Sequence, residues 1–134
     1  MASHAVKDAL KRRFLWTAAT DCTFEHMLRG EEKVICGRCI HCGRKQQLAL
    51  DGTPLTAATI EHIVPRVHGG GDDAQNLAIA CKRCNATKGY RLDCLRKDDP
   101  ALVRVIETLS SRRRDRWRDP PEDWSLPDPP GGWS

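Results

Sequence analysis

The stretch Thr59-Ile60-Glu61-His62-Ile63-Val64-Pro65, continued by Gly69-Gly70-Gly71-Asp72-Asp73, Asn76-Leu77 and Cys81-Lys82-Arg83-Cys84-Asn85, decides how this chain reads. It sets an acid–histidine pair, a glycine-rich loop, an amide and a Cys-x-x-Cys turn in one short run. A second Cys-x-x-Cys lies upstream at Cys39 and Cys42. Zinc takes four ligands tetrahedrally, and such a turn presents two thiolates from one tight loop, so two turns close a structural site. Cys36-Gly37-Arg38-Cys39 is an overlapping alternative for the first turn. Four cysteine ligands leave no position for water, so this ion is structural and catalysis needs a different one.

Working outward, Ala58 to Val64 alternates and is β-branched, as a strand carrying Glu61 and His62 does, and Pro65 ends it. Residues 66–75 form a glycine-rich loop, Leu77 to Ala80 a short apolar strand, and Cys81 to about Arg91 a helix opening at the second knuckle. Lys45 to Leu50 reads as a strand turned by Asp51-Gly52, and Val34 to Gly43 as a metal-knuckle loop holding Cys36, Cys39 and Cys42. Val6, Leu10 and Phe14 follow at i+4, the stripe of an amphipathic helix from about Ala5 to Ala19. Asp99-Pro100 is an N-cap and first-turn pair, and Leu102, Val105, Ile106 and Leu109 continue at helical spacing. The basic run Arg112 to Arg118 is too polar for a core; it either contacts phosphates or complements the helix dipole. From Asp119 the Pro/Gly-rich tail forms no regular element and is expected to be flexible, with Trp124 and Trp133 available for docking.

Over Cys39 to Gly89 the chain resembles the HNH endonuclease family, on the ordered set of two knuckles, Glu61-His62, Asn76 and Asn85. The resemblance implies an α+β fold: a ββα-metal finger with a structural four-cysteine zinc site, flanked by N- and C-terminal helices. It favours Cys39 and Cys42, with Cys81 and Cys84, as the zinc ligands, because Cys42-Gly43 leads directly into a strand. It implies that Glu61 and Asn85 bind one divalent cation and that Asn76 fastens the loop and holds the histidine. The expected divisions are 1–33, a supporting helix; 34–97, the nuclease core; 98–118, the C-terminal helix; and 119–134, the tail. Two departures stand out. The acid is Glu61 where aspartate is more usual, which moves the carboxylate by roughly 1.5 Å, so it either binds metal directly, binds through water or hydrogen-bonds the neighbouring strand. Asn85 stands where the family more often has histidine.

The chemistry follows from residue type. Phosphodiester hydrolysis needs a deprotonated water in line with the leaving oxygen and positive charge near the oxygen that becomes negative. A neutral imidazole accepts a proton at physiological pH, which makes His62 the candidate general base. On a strand, adjacent side chains face opposite ways, so Glu61 joins His62 in one site only if the strand ends and twists there. A carboxylate and an amide oxygen suit Mg²⁺ or Mn²⁺. His41, inside the first turn, is expected to face solvent; His68 is a solvated loop histidine or touches the phosphate. Cys22 and Cys94 have no spaced partner and read as small apolar core residues.

Composition sets bounds. A chain of 134 residues and 15.0 kDa fits one domain that supplements a small core with metal. Lys7, Lys11, Arg12 and Arg13 without an apolar stretch behind them predict no signal peptide, hence a reducing, cytoplasmic setting in which paired cysteines bind metal. No apolar run spans a bilayer, and no membrane partner is expected. Net charge is only +4, but Lys82, Arg83, Lys88, Arg91, Arg96 and Lys97 face a single Asp93 between positions 82 and 97. Arg66, Lys82, Arg83, Lys88 and Arg91 are therefore the candidate contacts to nucleic acid, double-stranded DNA first. Two other readings compete with an endonuclease: a zinc-stabilised nucleic-acid-binding module without catalysis, and a protein-interaction domain using the tail tryptophans. The sequence shows no recognisable oligomer interface.

Overall fold

The computed structural model describes residues 4–133 of the chain. Helix α1 (His4–Ala19) leads into an antiparallel sheet of β1 (Glu25–Arg29), β2 (Glu32–Arg38) and β3 (Lys45–Leu48). A two-stranded antiparallel ribbon follows, β4 (Ala58–His62) with β5 (Leu77–Cys81), then α2 (Lys82–Leu92) and α3 (Pro100–Arg116). The class is α+β, as expected. No helix among the described residues is long and apolar enough to cross a membrane.

The β1–β2 hairpin was not among the expected elements. Arg29 pairs with Glu32, leaving Gly30-Glu31 as a two-residue turn, and Gly30 carries φ of +65° while no non-glycine among the described residues takes positive φ. That is the glycine-first arrangement of a type II′ turn, whose twist matches its strands. Strand β2 extends through Arg38, so residues 34–38 are not knuckle loop: Cys36 pairs with Glu25 and Gln47 in mid-sheet. Its backbone is committed to two strand neighbours, which removes Cys36-x-x-Cys39 as a turn.

Strand β5 organises the interior. All five of its residues are buried. Ile79 joins Phe14, Leu15, Ala18, Phe24, Ile35 and Leu48 on one side, whereas Ala78 and Ala80 join Cys39, Ile40, Ile63 and Leu109 on the other, where Cys81 also packs from the end of the strand. Alternation along a strand gives one ribbon two cores. Register carries this to β4: Ile60 opposes Ile79 and packs with the first core, and Glu61 opposes Ala78 of the second.

On α1 the buried face is Phe14, Leu15, Ala18 and Ala19, not the stripe through Leu10, which is 47 % exposed; the Val6 side chain lies outside the described residues. Asp99 caps α3, its carboxylate accepting from Ala101 N at 2.9 Å. The basic end of α3 is turned in part onto backbone carbonyls. Arg113 is buried and donates to Thr20 O (2.9 Å), Thr20 Oγ1 (2.8 Å) and Ala74 O (3.2 Å), and burial lowers its pKa to about 10. Arg118 donates to Ala18 O and Ala19 O, and Arg112 to Ile40 O and His41 O. A helix end leaves carbonyls without partners, and the guanidinium fork with five donors satisfies them. Arg113 and Arg118 thus close the end of α1, and neither is free for phosphate.

The tail is irregular but packed. Trp124 and Leu126 lie against the first core, Trp124 stacks on His26 at 4.7 Å, and Trp16 Nε1 donates to Pro127 O at 2.9 Å. Trp133 meets Trp16 edge-on at 6.0 Å. Both tail tryptophans are therefore engaged within the chain instead of awaiting a partner. Cys22 and Cys94 are exposed, against the expectation of core positions.

Candidate active site and metal centre

The four sulfurs of Cys39, Cys42, Cys81 and Cys84 lie within 4.8 Å of one another. Four sulfurs about 2.3 Å from one tetrahedral ion sit about 3.8 Å apart, so the cluster closes on a metal with small side-chain adjustment. Backbone amides already point at the sulfur of Cys39, from His41 N at 3.4 Å and Cys81 N at 3.3 Å. Burial, then hydrogen bonds shared with Cys81 and Cys42 and the charge at Cys39, pushes the Cys84 thiol well above its ordinary value. A thiol held this way ionises more readily when a cation joins the cluster, as at a cysteine metal site.

At the other end of the ribbon the polypeptide is pinned by Asn76. Its Oδ1 accepts from Val64 N (2.8 Å), and its Nδ2 donates to Val64 O (3.1 Å) and Gly71 O (2.9 Å). One amide thus ties the end of β4 to the glycine loop. Gly70 lies so close to this turn that a Cβ there would sit 1.7 Å from Val64 O, so no other residue fits without moving the backbone.

Strand β4 stays regular through His62, which pairs with Leu77. The twist that would unite Glu61 and His62 does not occur, and the two side chains face opposite sides of the ribbon. Glu61 is fully buried against α2: Oε1 lies 2.9 Å from Lys88 Nζ and Oε2 2.5 Å from His41 Nε2. Lys88 directs its hydrogen bonds to the carbonyls of His62 (2.8 Å) and Ile63 (3.0 Å) and contributes to Glu61 by charge. His41, expected in solvent, is a partner of this carboxylate, and Lys88, expected on phosphate, is turned inward. Asn85 Nδ2 donates to Thr59 Oγ1 at 3.0 Å, with no hydrogen bond to Glu61 or His62. The structure does not assemble Glu61, His62 and Asn85 around one point.

His62 instead meets Asp72 and Arg66, with Arg13 behind Asp72, residues that the sequence left unassigned or assigned elsewhere. Its Nε2 is 2.7 Å from Asp72 Oδ1 and 3.2 Å from Arg66 Nε. Asp72 also takes Arg66 Nη2 at 3.3 Å and, through Oδ2, Arg13 Nη2 at 3.3 Å. One ring nitrogen cannot both donate and accept. The shorter contact and the anionic acceptor assign the proton to Nε2, donated to Asp72, which leaves Nδ1 of the neutral ring as the free acceptor. The hydrogen bond from His62, reinforced by the charges of Arg13 and Arg66, holds the Asp72 carboxyl below its ordinary value of 3.8. His62, Arg13 and Arg66 line one open cavity of about 350 Å³ with Leu10, Phe14 and Thr59. Leu10 is exposed because it faces this space. Asp72 was legible as part of the glycine loop, but nothing in the sequence marked Arg13, which α1 brings from 49 positions upstream of His62.

Lys82, Arg83 and Arg91 are exposed on α2, and Arg66 is exposed beside His62. No curated protein and no solved structure matches the chain. Residues 39–91, which hold both knuckles, Glu61-His62, the Asn76 pin and α2 through Arg91, match the model of the family described as HNH endonuclease.

Proposed function

We propose that the protein is an HNH-type endonuclease that hydrolyses phosphodiester bonds of nucleic acid, DNA in the first place, with zinc on Cys39, Cys42, Cys81 and Cys84 as a structural ion. The observation that carries this reading is the His62–Asp72 pair at the mouth of a cavity flanked by Arg13 and Arg66, inside a segment that matches this family. Asp72 orients the ring through Nε2, and Nδ1 takes a proton from water as the water oxygen attacks phosphorus. The P–O bond to the leaving oxygen breaks, and that oxygen takes up a proton. Arg13 and Arg66 supply positive charge for the phosphate oxygens, as transition-state stabilisation requires. Asn76 positions His62 by fixing Val64 and Gly71. Lys82, Arg83 and Arg91 are the candidate contacts to the backbone of the substrate.

Mg²⁺ or Mn²⁺, when bound, supplies polarisation of the scissile phosphate. Glu61 and Asn85 are its expected ligands, yet Glu61 Oε2 is held by His41, and Oε1, buried without a hydrogen bond, has the Lys88 ammonium 2.9 Å away in the place a cation would take. Glu61 therefore does not fit that role in this arrangement, whereas Asn85 uses only its Nδ2, toward Thr59. The engagement of Glu61 favours the second reading, a zinc-stabilised nucleic-acid-binding module without hydrolysis. One experiment separates the two: plasmid nicking by the zinc-loaded chain in Mg²⁺, Mn²⁺ or neither, beside His62→Ala. The nuclease reading expects nicking by the parent and none by the variant at equal zinc content. Plasmid binding without nicking under every condition supports the module instead.

A further inference from the structure

The cleft between α2 and α3 lies apart from the His62–Asp72 pair, and of its residues only Arg83 and Arg91 enter the reading above, as contacts to the substrate backbone. It measures about 440 Å³ and opens beside the metal centre, on the Glu61 side of the ribbon. Leu92, Ala101 and Val105 give it apolar lining, and Lys88 and His41 also line it with their polar ends turned to Glu61. Arg83, Arg91 and Arg104 line it. All three are exposed, none has a carboxylate within 4.0 Å among the described residues, and no acidic side chain lines the cleft.

Three unpaired guanidinium groups beside apolar lining fit a ligand that is anionic on one side and flat and apolar on the other. A phosphate backbone alone would use the arginines and leave the apolar lining empty. A nucleotide uses both, because bases bury their faces on apolar surface or on guanidinium planes while phosphates take charge-assisted hydrogen bonds. The volume lies within the range of about 300–1,000 Å³ for sites that enclose one such unit. A base stacked within a duplex cannot enter a space of this size, whereas an unpaired one can. We propose that this cleft binds an unpaired nucleotide of single-stranded nucleic acid, with its phosphates on Arg83, Arg91 and Arg104 and its base over Leu92, Ala101 and Val105. The site is separate from His62, and the inference rests on the nucleic-acid reading given above.

The test is fluorescence anisotropy with the full zinc-loaded chain and no added divalent ion. The probes are a labelled 12-nucleotide oligothymidylate, the same backbone with abasic sites, and a duplex of equal length. Expected are binding of the oligothymidylate at least about fivefold tighter than the abasic strand, loss of that preference in the double variant Arg91→Ala/Arg104→Ala, and a salt slope reduced by roughly 1.4 for two lost phosphate contacts. Both arginines are exposed, so zinc content and melting temperature should match the parent. His62→Ala should bind all three probes as the parent does. Equal affinity for abasic and intact strands, an unchanged double variant, or equal displacement of the probe by polyglutamate would each overturn the assignment. If the parent still nicks plasmid in those cases, the cleft is wrong and the nuclease reading survives; if no nucleic acid binds the parent at all, both fall.

Discussion

Glu61 and His62 are consecutive in the chain, yet their side chains end in opposite environments. Glu61 has no exposed surface and is held by Lys88 and His41 against the second core, beside the cysteine cluster. His62 keeps 16 % of its side chain exposed on the α1 side, among Asp72, Arg66 and Arg13. The difference teaches that an acid–histidine pair in sequence is not automatically one site. A regular strand sends the two residues to two faces, so here one face carries support and the other carries the groups suited to chemistry. Between them, Lys88 bonds the carbonyls of His62 and Ile63 and so transmits the rigidity of the buried face to the strand end.

The largest expected effect lies on the support face. Cys81→Ser removes one of four sulfurs from a site whose ion, in small zinc domains, contributes about 10–16 kcal/mol of apparent binding energy that is also folding energy. The variant should lose zinc and its cooperative thermal transition, measured by metal analysis and calorimetry. An unchanged melting temperature would detach the cysteines from the fold. Next in size is Glu61→Ala, which strands Lys88 as a buried charge. Breaking a buried pair from one side costs about 3–5 kcal/mol, while replacing both partners by apolar residues is often close to neutral. Glu61→Leu with Lys88→Met should therefore be more stable than Glu61→Ala by denaturant unfolding. If the double variant is the weaker, the carboxylate has work on this face beyond the pair.

How much of this was legible follows from what each residue depends on. The cysteine cluster was readable because a Cys-x-x-Cys turn is local, and two such turns bring four sulfurs within 4.8 Å of one another. Asn76 was readable for the same reason, since its partners Val64 and Gly71 lie within one loop. The β1–β2 hairpin was missed although Gly30-Glu31 is a recognisable two-residue turn, because its flanking residues are mixed and β1 is mostly exposed. The environments of Glu61 and Lys88 were not readable, because strand regularity through His62 depends on pairing with Leu77, a tertiary fact. Nor was the arginine-rich end of α3, whose polarity suggested solvent. Arg113 is buried because the end of α1 lies there with open carbonyls, and no local pattern announces that.

On the exposed face the expected effects are smaller and concern rate. Asp72→Asn keeps the shape but loses the anion that fixes the ring tautomer, and a fall in nicking of about 10²-fold or more is expected, within the range for general-base contributions. The readout that separates orientation from folding is a melting temperature at neutral pH lowered only slightly, far too little to account for the loss of rate. Arg13→Ala should lower the rate by roughly 10-fold, about 1.4 kcal/mol of transition-state stabilisation, without changing zinc content. Equal rates for parent and variant would confine the site to residues 39–91.

The smallest effect is one of pH. The Asp72 carboxyl is held below 3.8 in the folded chain, chiefly by the His62 hydrogen bond. A depressed folded value means the contribution is present above the unfolded pKa and is lost as pH falls through the folded one. Parent and Asp72→Asn should therefore differ slightly in stability above about pH 4 and converge below it in a urea titration. Divergence on acidification would reverse the sign and remove the His62–Asp72 contact from the account.

The most direct measurement of the two-face account is the initial rate of plasmid nicking by His62→Ala, set beside its thermal unfolding curve. The account predicts a rate lower by at least about 10²-fold, with melting temperature and zinc content like those of the parent. Undiminished cleavage, or a loss of rate that merely follows a loss of fold, would contradict it.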